Sequence, residues 1–131
     1  MNQLVEQQIC EPVTIVIFGA SGDLTHRKLI PALYAAYQQN LLPEQFSIIG
    51  FARREYDTPL FRRMMADAVI KFSRLDVDEG LVEAFVKHID YFKGDISDPE
   101  AYQALRMQLN DSSRYPENRI YYLSIIKIYV Y

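Results

Sequence analysis

Cysteine is nearly missing from this chain. Cys10 stands alone among 131 residues, which excludes an internal disulfide framework and any metal site built on cysteines. A reduced, cytoplasmic setting is the expectation that goes with it. An excess of one charge is missing too: 14 Lys and Arg face 17 Asp and Glu, a net charge of −3. So mild an acidic balance offers nucleic acid no bulk attraction, and no such partner is expected. No stretch reaches the ~18 consecutive apolar residues of a membrane span, so no membrane association is expected. The first residues include Glu6 and Glu11 rather than a charged-then-apolar leader, so no targeting segment is expected. Five glycines and six prolines are too few for collagen-like or linker character. Neither internal repeats nor low-complexity tracts occur.

What remains is ordinary globular material. Half of the residues are hydrophobic and 24% are charged, which excludes a disordered chain. The length corresponds to roughly one domain with one real core.

Residues 1–12 are polar, end at Pro12 and read as a flexible lead-in. Val13 to Phe18 is a continuous, mostly β-branched run, the pattern of a strand covered on both faces in a parallel sheet. It stops at Gly19-Ala20-Ser21-Gly22-Asp23. Leu24 to Asn40 then reads as a helix with an apolar row at Leu29, Ala32, Leu33, Ala36 and Tyr37. Pro31 either separates its first turn or kinks it. A second strand is expected at Ser47–Phe51, then a helix capped by Thr58 with Pro59 in its first turn. Its apolar rows are Leu60, Met64, Ala68, Phe72 and Phe61, Met65, Val69. A further helix over Glu79–Lys87 and a strand over Ile89–Lys93 follow. The next helix starts at a capping box of Ser97 and Glu100, or at an Asp98 cap before Pro99. It buries Tyr102, Leu105 and Leu109, and Arg119–Ile125 is the fourth strand. The order β-α-β-α-α-β-α-β predicts an α/β, Rossmann-like, doubly wound parallel sheet of about four strands, the first half of a nucleotide-binding fold.

The turn Gly19-Ala20-Ser21-Gly22-Asp23-Leu24 lies directly between a strand and a helix. Small residues there let a phosphate approach the backbone, and the helix start adds unpaired amides and partial positive charge. The match to G-x-G-x-x-G is imperfect, with Ser21 and Leu24 at the second and third glycine positions. A strand-to-helix corner without a ligand remains the alternative. After the second strand comes Gly50-Phe51-Ala52-Arg53-Arg54, with no carboxylate before Glu55. An acid there would accept from a ribose 2′-hydroxyl, whereas guanidiniums suit a 2′-phosphate, which favours NADP over NAD. A solvated basic pair is the other reading of Arg53 and Arg54.

With these residues assembled, the chain resembles the N-terminal, coenzyme-binding part of the glucose-6-phosphate dehydrogenase family. The run from Ile17 to Tyr34, which contains Gly19-Ala20-Ser21-Gly22-Asp23-Leu24-Thr25-His26-Arg27-Lys28, follows that family almost throughout. Gly50-Phe51-Ala52-Arg53 and Asn118-Arg119-Ile120-Tyr121-Tyr122-Leu123 extend the match. The resemblance implies that Gly19 to Leu24 hold the coenzyme pyrophosphate and that Arg53, helped by Arg54, meets the 2′-phosphate. It also implies that Lys28 lies near the nicotinamide and the substrate. It implies oxidation of glucose 6-phosphate to the lactone with NADP, in homo-oligomers of the full-length enzyme.

Two departures qualify this. The family's catalytic histidine belongs to a larger C-terminal domain, and neither His26 nor His88 stands in its motif, so both read as surface or partly packed. No catalytic residue is therefore expected within this chain, nor any metal ligand. Ile125 to Tyr131 leaves the family pattern and reads as a changed frame or a premature end. The expected organisation is thus a lead-in over 1–12, a partial coenzyme-binding domain over 13–125 and an aberrant tail over 126–131. The fourth strand, lacking a neighbour, is an aggregation hazard. A non-catalytic NADP-binding module and a non-functional gene remnant are the alternatives to a dehydrogenase segment.

Overall fold

A strand buried on both faces needs apolar side chains at consecutive positions, and β1 (Val13–Phe18) has all six residues buried. In the computed structural model, which describes residues 11–74 and 76–124, β1 is central. It pairs in parallel with β2 (Phe46–Ala52) in the register Val13↔Phe46 to Phe18↔Phe51. On its other side it pairs in parallel with β4 (Arg119–Leu123), Thr14↔Arg119 to Phe18↔Leu123. β3 (Ile89–Lys93) joins β2 in parallel, giving the order β3-β2-β1-β4. The chain order reverses between β1 and β4, the place where open α/β sheets receive ligands. The lead-in and the tail lie wholly or largely outside the described residues.

Helices cover both faces of the sheet. On one, α1 (Ile30–Gln38), α2 (Thr58–Phe72) and α3 (Glu79–Val86) pack Ile30, Tyr34, Phe61, Met65 and Phe85 onto Ile15, Ile17, Ile48 and Ile89. On the other, Leu105 and Leu109 of α4 (Pro99–Leu109), with Tyr115, cover Val16, Phe18, Ile49 and Phe51. Each fully buried Ile or Phe contributes about 1.5–3 kcal/mol.

Local detail departs from the sequence reading in three places. Thr25–Leu29 winds as a π turn ahead of α1, and the Ile30 amide donates to the Thr25 carbonyl. Pro31 has no amide to close an α-helical bond onto the Arg27 carbonyl and would crowd it; the wider turn moves that carbonyl away. Ile30, Pro31 and Tyr34 are buried, Leu29, Leu33 and Tyr37 of the expected row pack against the same core, and Ala32 of that row is exposed. The second departure is the cap of α2: Asp57, not Thr58, accepts from the Leu60 amide at 2.8 Å. Thr58 instead accepts from the Tyr91 amide at 3.1 Å, so its oxygen serves β3. At α4 the Asp98 alternative holds over the Ser97–Glu100 box, with the Asp98 carboxylate accepting from the Glu100 amide at 3.0 Å. β2 is also longer than expected, taking in Phe46 and Ala52.

One buried polar knot ties these layers together. Asp90 of β3 accepts from Arg62 of α2 at 3.0 Å, from Arg114 at 2.6 and 2.8 Å, and from the Tyr115 hydroxyl at 2.6 Å. Burial alone would raise the Asp90 pKa. The Arg114 and Tyr115 hydrogen bonds and the two guanidinium charges outweigh it and hold the carboxyl below its ordinary value.

Candidate functional site

The glycine turn is built by backbone bonding. Gly19 has φ 79°, the left-handed region that a residue without Cβ enters freely. This lets the Gly19 and Ala20 amides both donate to the Phe51 carbonyl, at 2.9 and 3.2 Å, across the end of β2. The Gly22 amide closes the turn onto the Gly19 carbonyl at 3.0 Å. The turn sits so low on β2 that a Cβ at Gly50 would fall 2.9 Å from the Ala20 Cβ and 2.6 Å from the Phe61 ring. That gives the Gly50-Phe51-Ala52-Arg53 run a mechanical reason.

Three amides of the turn, those of Ser21, Asp23 and Leu24, have no acceptor among the described residues. They precede a helical segment whose early amides carry partial positive charge, an arrangement suited to a pyrophosphate. A Cβ at Gly22 would stand 3.2 Å from the Gly19 carbonyl, a tight contact that the turn would have to relieve by a few tenths of an ångström. Asp23 is exposed, and Arg27 lies 3.9 Å from its carboxylate.

Two supports of this turn escaped the sequence reading. Thr25 is buried, and its hydroxyl lies 2.9 Å from the Ser124 hydroxyl, joining the turn to the residue just past β4. Ser124 is held in turn by its amide, which donates to the Phe18 carbonyl at 2.8 Å. His26 is partly buried, as expected, but its Nδ1 also donates to the Gly22 carbonyl at 2.9 Å. Thr25 and Ser124 are 99 residues apart, so no spacing pattern could link them.

Arg53 and Arg54 follow β2 and are exposed. Since Phe18 and Phe51 are register partners, the glycine turn and the arginines leave neighbouring strands at the same end of the sheet. The Arg53 side chain makes no hydrogen bond or ion pair among the described residues. It borders an open groove of about 570 Å³ lined also by Phe92, Gly94, Asp95 and Ala101. Hydrogen bonds from the Ser97 amide and hydroxyl hold the Asp95 carboxyl below its ordinary value, and the Arg53 charge adds to this. Below the arginines, Lys93 pairs with Glu55. The Tyr91 hydroxyl lies 3.0 Å from the Ala52 carbonyl and 2.8 Å from that of Arg54.

Lys28 is exposed on the π turn and has no polar partner among the described residues. His88 is partly buried, stacks on Phe46 at 3.9 Å between ring centres and donates from Nδ1 to the Phe46 carbonyl. A larger groove of about 860 Å³, around Phe46, His88, Arg114 and Asn118, opens at the other end of the sheet. Parallel sheets bind nucleotides at the carboxyl ends of their strands, so the glycine turn is the better candidate despite the size difference. Among the described residues, no three His, Cys, Asp or Glu side chains cluster as a metal site. No helix among them is long and apolar enough to cross a membrane.

Residues 16–130 match the family model described as "Glucose-6-phosphate dehydrogenase, NAD binding domain". The chain belongs to the glucose-6-phosphate dehydrogenase family. It is 42% identical over 118 residues to glucose-6-phosphate 1-dehydrogenase of Chlamydia pneumoniae, covering 88% of this chain and 23% of that one. With the enzyme of Aggregatibacter actinomycetemcomitans it shares 43% over 121 residues, covering 87% and 23%. A solved glucose-6-phosphate dehydrogenase in complex with its substrate glucose-6-phosphate superposes with a TM-score of 0.77 at 29% identity, over 90% of this chain and 25% of that one. The chain thus spans about a quarter of the length of these glucose-6-phosphate dehydrogenases. The part it matches is the family's NAD-binding domain, and the four-stranded parallel α/β sheet agrees with that assignment.

Proposed function

We propose that this chain is the coenzyme-holding part of a glucose-6-phosphate 1-dehydrogenase that uses NADP. The observation that carries the reading is the pairing of two unsatisfied donor sets at one end of the sheet. The Ser21, Asp23 and Leu24 amides suit a pyrophosphate, and the unpartnered Arg53 guanidinium suits a 2′-phosphate. Arg54 is a second cation beside it, and no carboxylate stands between Ala52 and Glu55 to accept from a free 2′-hydroxyl. Gly19, Ala20 and Gly22 shape the cradle rather than donate to a ligand, because their amides are already bonded within the protein. Lys28, exposed one turn further on, is the cation on this chain assigned to the nicotinamide and substrate side.

The coenzyme supplies the hydride acceptor for oxidation at the sugar's anomeric carbon. The work of these residues is positional: they anchor two phosphate ends, so that the reacting groups meet in a fixed geometry. In this reading the base that takes the hydroxyl proton, and most contacts to the sugar phosphate, belong to the larger part of the relatives that this chain does not span. A cytoplasmic setting, supported by the lone Cys10, and homo-oligomers of the full-length enzyme belong to the same proposal. So does a coenzyme-binding unit bounded at 13–125.

Calorimetric titration of the chain with NADP and NAD, before and after Arg53→Ala, tests the assignment. Loss of a charge-assisted phosphate contact is expected to weaken NADP about 10- to 100-fold and to leave NAD unchanged. Equal losses for both coenzymes, or none, contradict it. With glucose 6-phosphate added, the chain alone is expected to form no NADPH; sustained formation would overturn the division of labour.

A further inference from the structure

We propose that Tyr91 is a positioning residue for coenzyme selectivity, holding the backbone on either side of Arg53 so that its guanidinium is presented to a 2′-phosphate. The inference rests on the reading of Arg53 given above and extends it to a residue on another strand.

The Tyr91 hydroxyl reaches the Arg54 carbonyl at 2.8 Å and the Ala52 carbonyl at 3.0 Å, sharing its one proton between two carbonyls that bracket the Arg53-Arg54 pair. The ring is itself fixed. The Tyr91 amide donates to the Thr58 hydroxyl at 3.1 Å, and the ring packs against Phe61 at 4.8 Å and Tyr56 at 5.4 Å between centres. A rigid post on β3 therefore carries the turn that leaves β2. Burial, then the nearby Tyr56 and Glu55, push the Tyr91 hydroxyl up to about 12, so it keeps its proton and donates throughout the neutral range.

Arg53 needs this support more than most side chains would. It has no polar partner among the described residues, so nothing but its backbone fixes where the guanidinium starts. A long side chain on a loose turn loses more rotamer freedom when it binds. The turn has other ties, which are enough to keep it folded. The Gly94 amide donates to the Ala52 carbonyl at 2.8 Å, and the Tyr56 amide to the Arg54 carbonyl at 2.9 Å. Removing the hydroxyl leaves both carbonyls bonded and the ring packing intact; what it removes is the one shared hydrogen bond that ties the backbone before Arg53 to the backbone after Arg54.

The test is a double-mutant cycle on the full chain, with NADP and NAD dissociation constants measured for wild type, Tyr91→Phe, Arg53→Ala and the pair. Tyr91→Phe is expected to weaken NADP about threefold to tenfold, the worth of one hydrogen bond, and to leave NAD unchanged. In the Arg53→Ala background it is expected to add nothing. If Arg53→Ala spares NADP, the coenzyme reading itself falls. If Arg53→Ala weakens NADP while Tyr91→Phe does not, or weakens both coenzymes alike, the role of Tyr91 alone is overturned. Should Tyr91→Phe not fold, a fluorinated tyrosine at position 91, with a more acidic hydroxyl, replaces it. NADP preference is then expected to fall as pH rises through that ionisation, while the unmodified chain keeps it. A preference that stays constant with pH overturns the proposal.

Discussion

At the scale of single residues, close approach sets the shape of the glycine turn. Gly50 shows it: a methyl group there would meet the Phe61 ring at 2.6 Å and Ala20 at 2.9 Å, contacts that real side chains do not make. Gly50→Ala is expected to cost about 1–3 kcal/mol through overpacking and to lower coenzyme affinity by lifting the glycine turn off β2. Chemical denaturation measures the first effect and coenzyme titration the second. An unchanged midpoint would show that Phe61 swings aside freely. The glycine turn was readable in the sequence because its small residues lie together between a strand and a helix. The reason for Gly50 was not, since it depends on Phe61 arriving from α2. Thr25 and Ser124 were equally hidden, two ordinary residues that meet only once β4 lies beside β1.

Elements were readable where periodicity or capping chemistry is strong, and misread where two neighbours could do one job. Asp57 and Thr58 are both good helix caps, and the sequence does not say that β3 claims the Thr58 oxygen. Asp57→Ala is therefore expected to destabilise by about 0.5–2 kcal/mol through the loss of an N-cap, measured by thermal or urea unfolding. The π winding of Thr25–Leu29 is likewise not legible, because an even 3.6-residue period does not contain the extra residue that accommodates Pro31, although Leu29, Leu33 and Tyr37 of the expected row do pack on the core. The Asp90 knot joins α2, β3 and the segment before β4, and it makes stability depend on pH. A carboxyl whose pKa is lower in the folded state stabilises fully above its unfolded value of 3.8. That contribution disappears as pH falls through the still lower folded value. Asp90→Asn is expected to cost about 1–3 kcal/mol at neutral pH, with its partners partly exposed to solvent, and to flatten the acid side of the stability curve. A variant as acid-sensitive as the wild type would remove Asp90 from that role.

For the whole molecule, the decisive pattern was strands alternating with helices, because a parallel pair needs a crossover long enough to hold one. The β-branched run at Val13–Phe18 marked a strand covered on both faces, and the shorter expectation Ser47–Phe51 caught the middle of β2. β4 differs: among the described strands it pairs only with β1, and Ile120, Tyr121 and Leu123 are more than half exposed. Such a surface invites association between copies. Leu123→Lys is expected to reduce concentration-dependent light scattering without shifting the unfolding midpoint, and unaltered scattering would place the association elsewhere.

The account as a whole is tested most directly by backbone and arginine side-chain NMR during parallel titrations with NADP and NAD. The predicted result is that the Ser21, Asp23 and Leu24 amides shift with both coenzymes, while the Arg53 guanidinium responds only to NADP. Shifts gathered at the opposite end of the sheet around Phe46, His88 and Asn118, or an Arg53 signal indifferent to the 2′-phosphate, would contradict it.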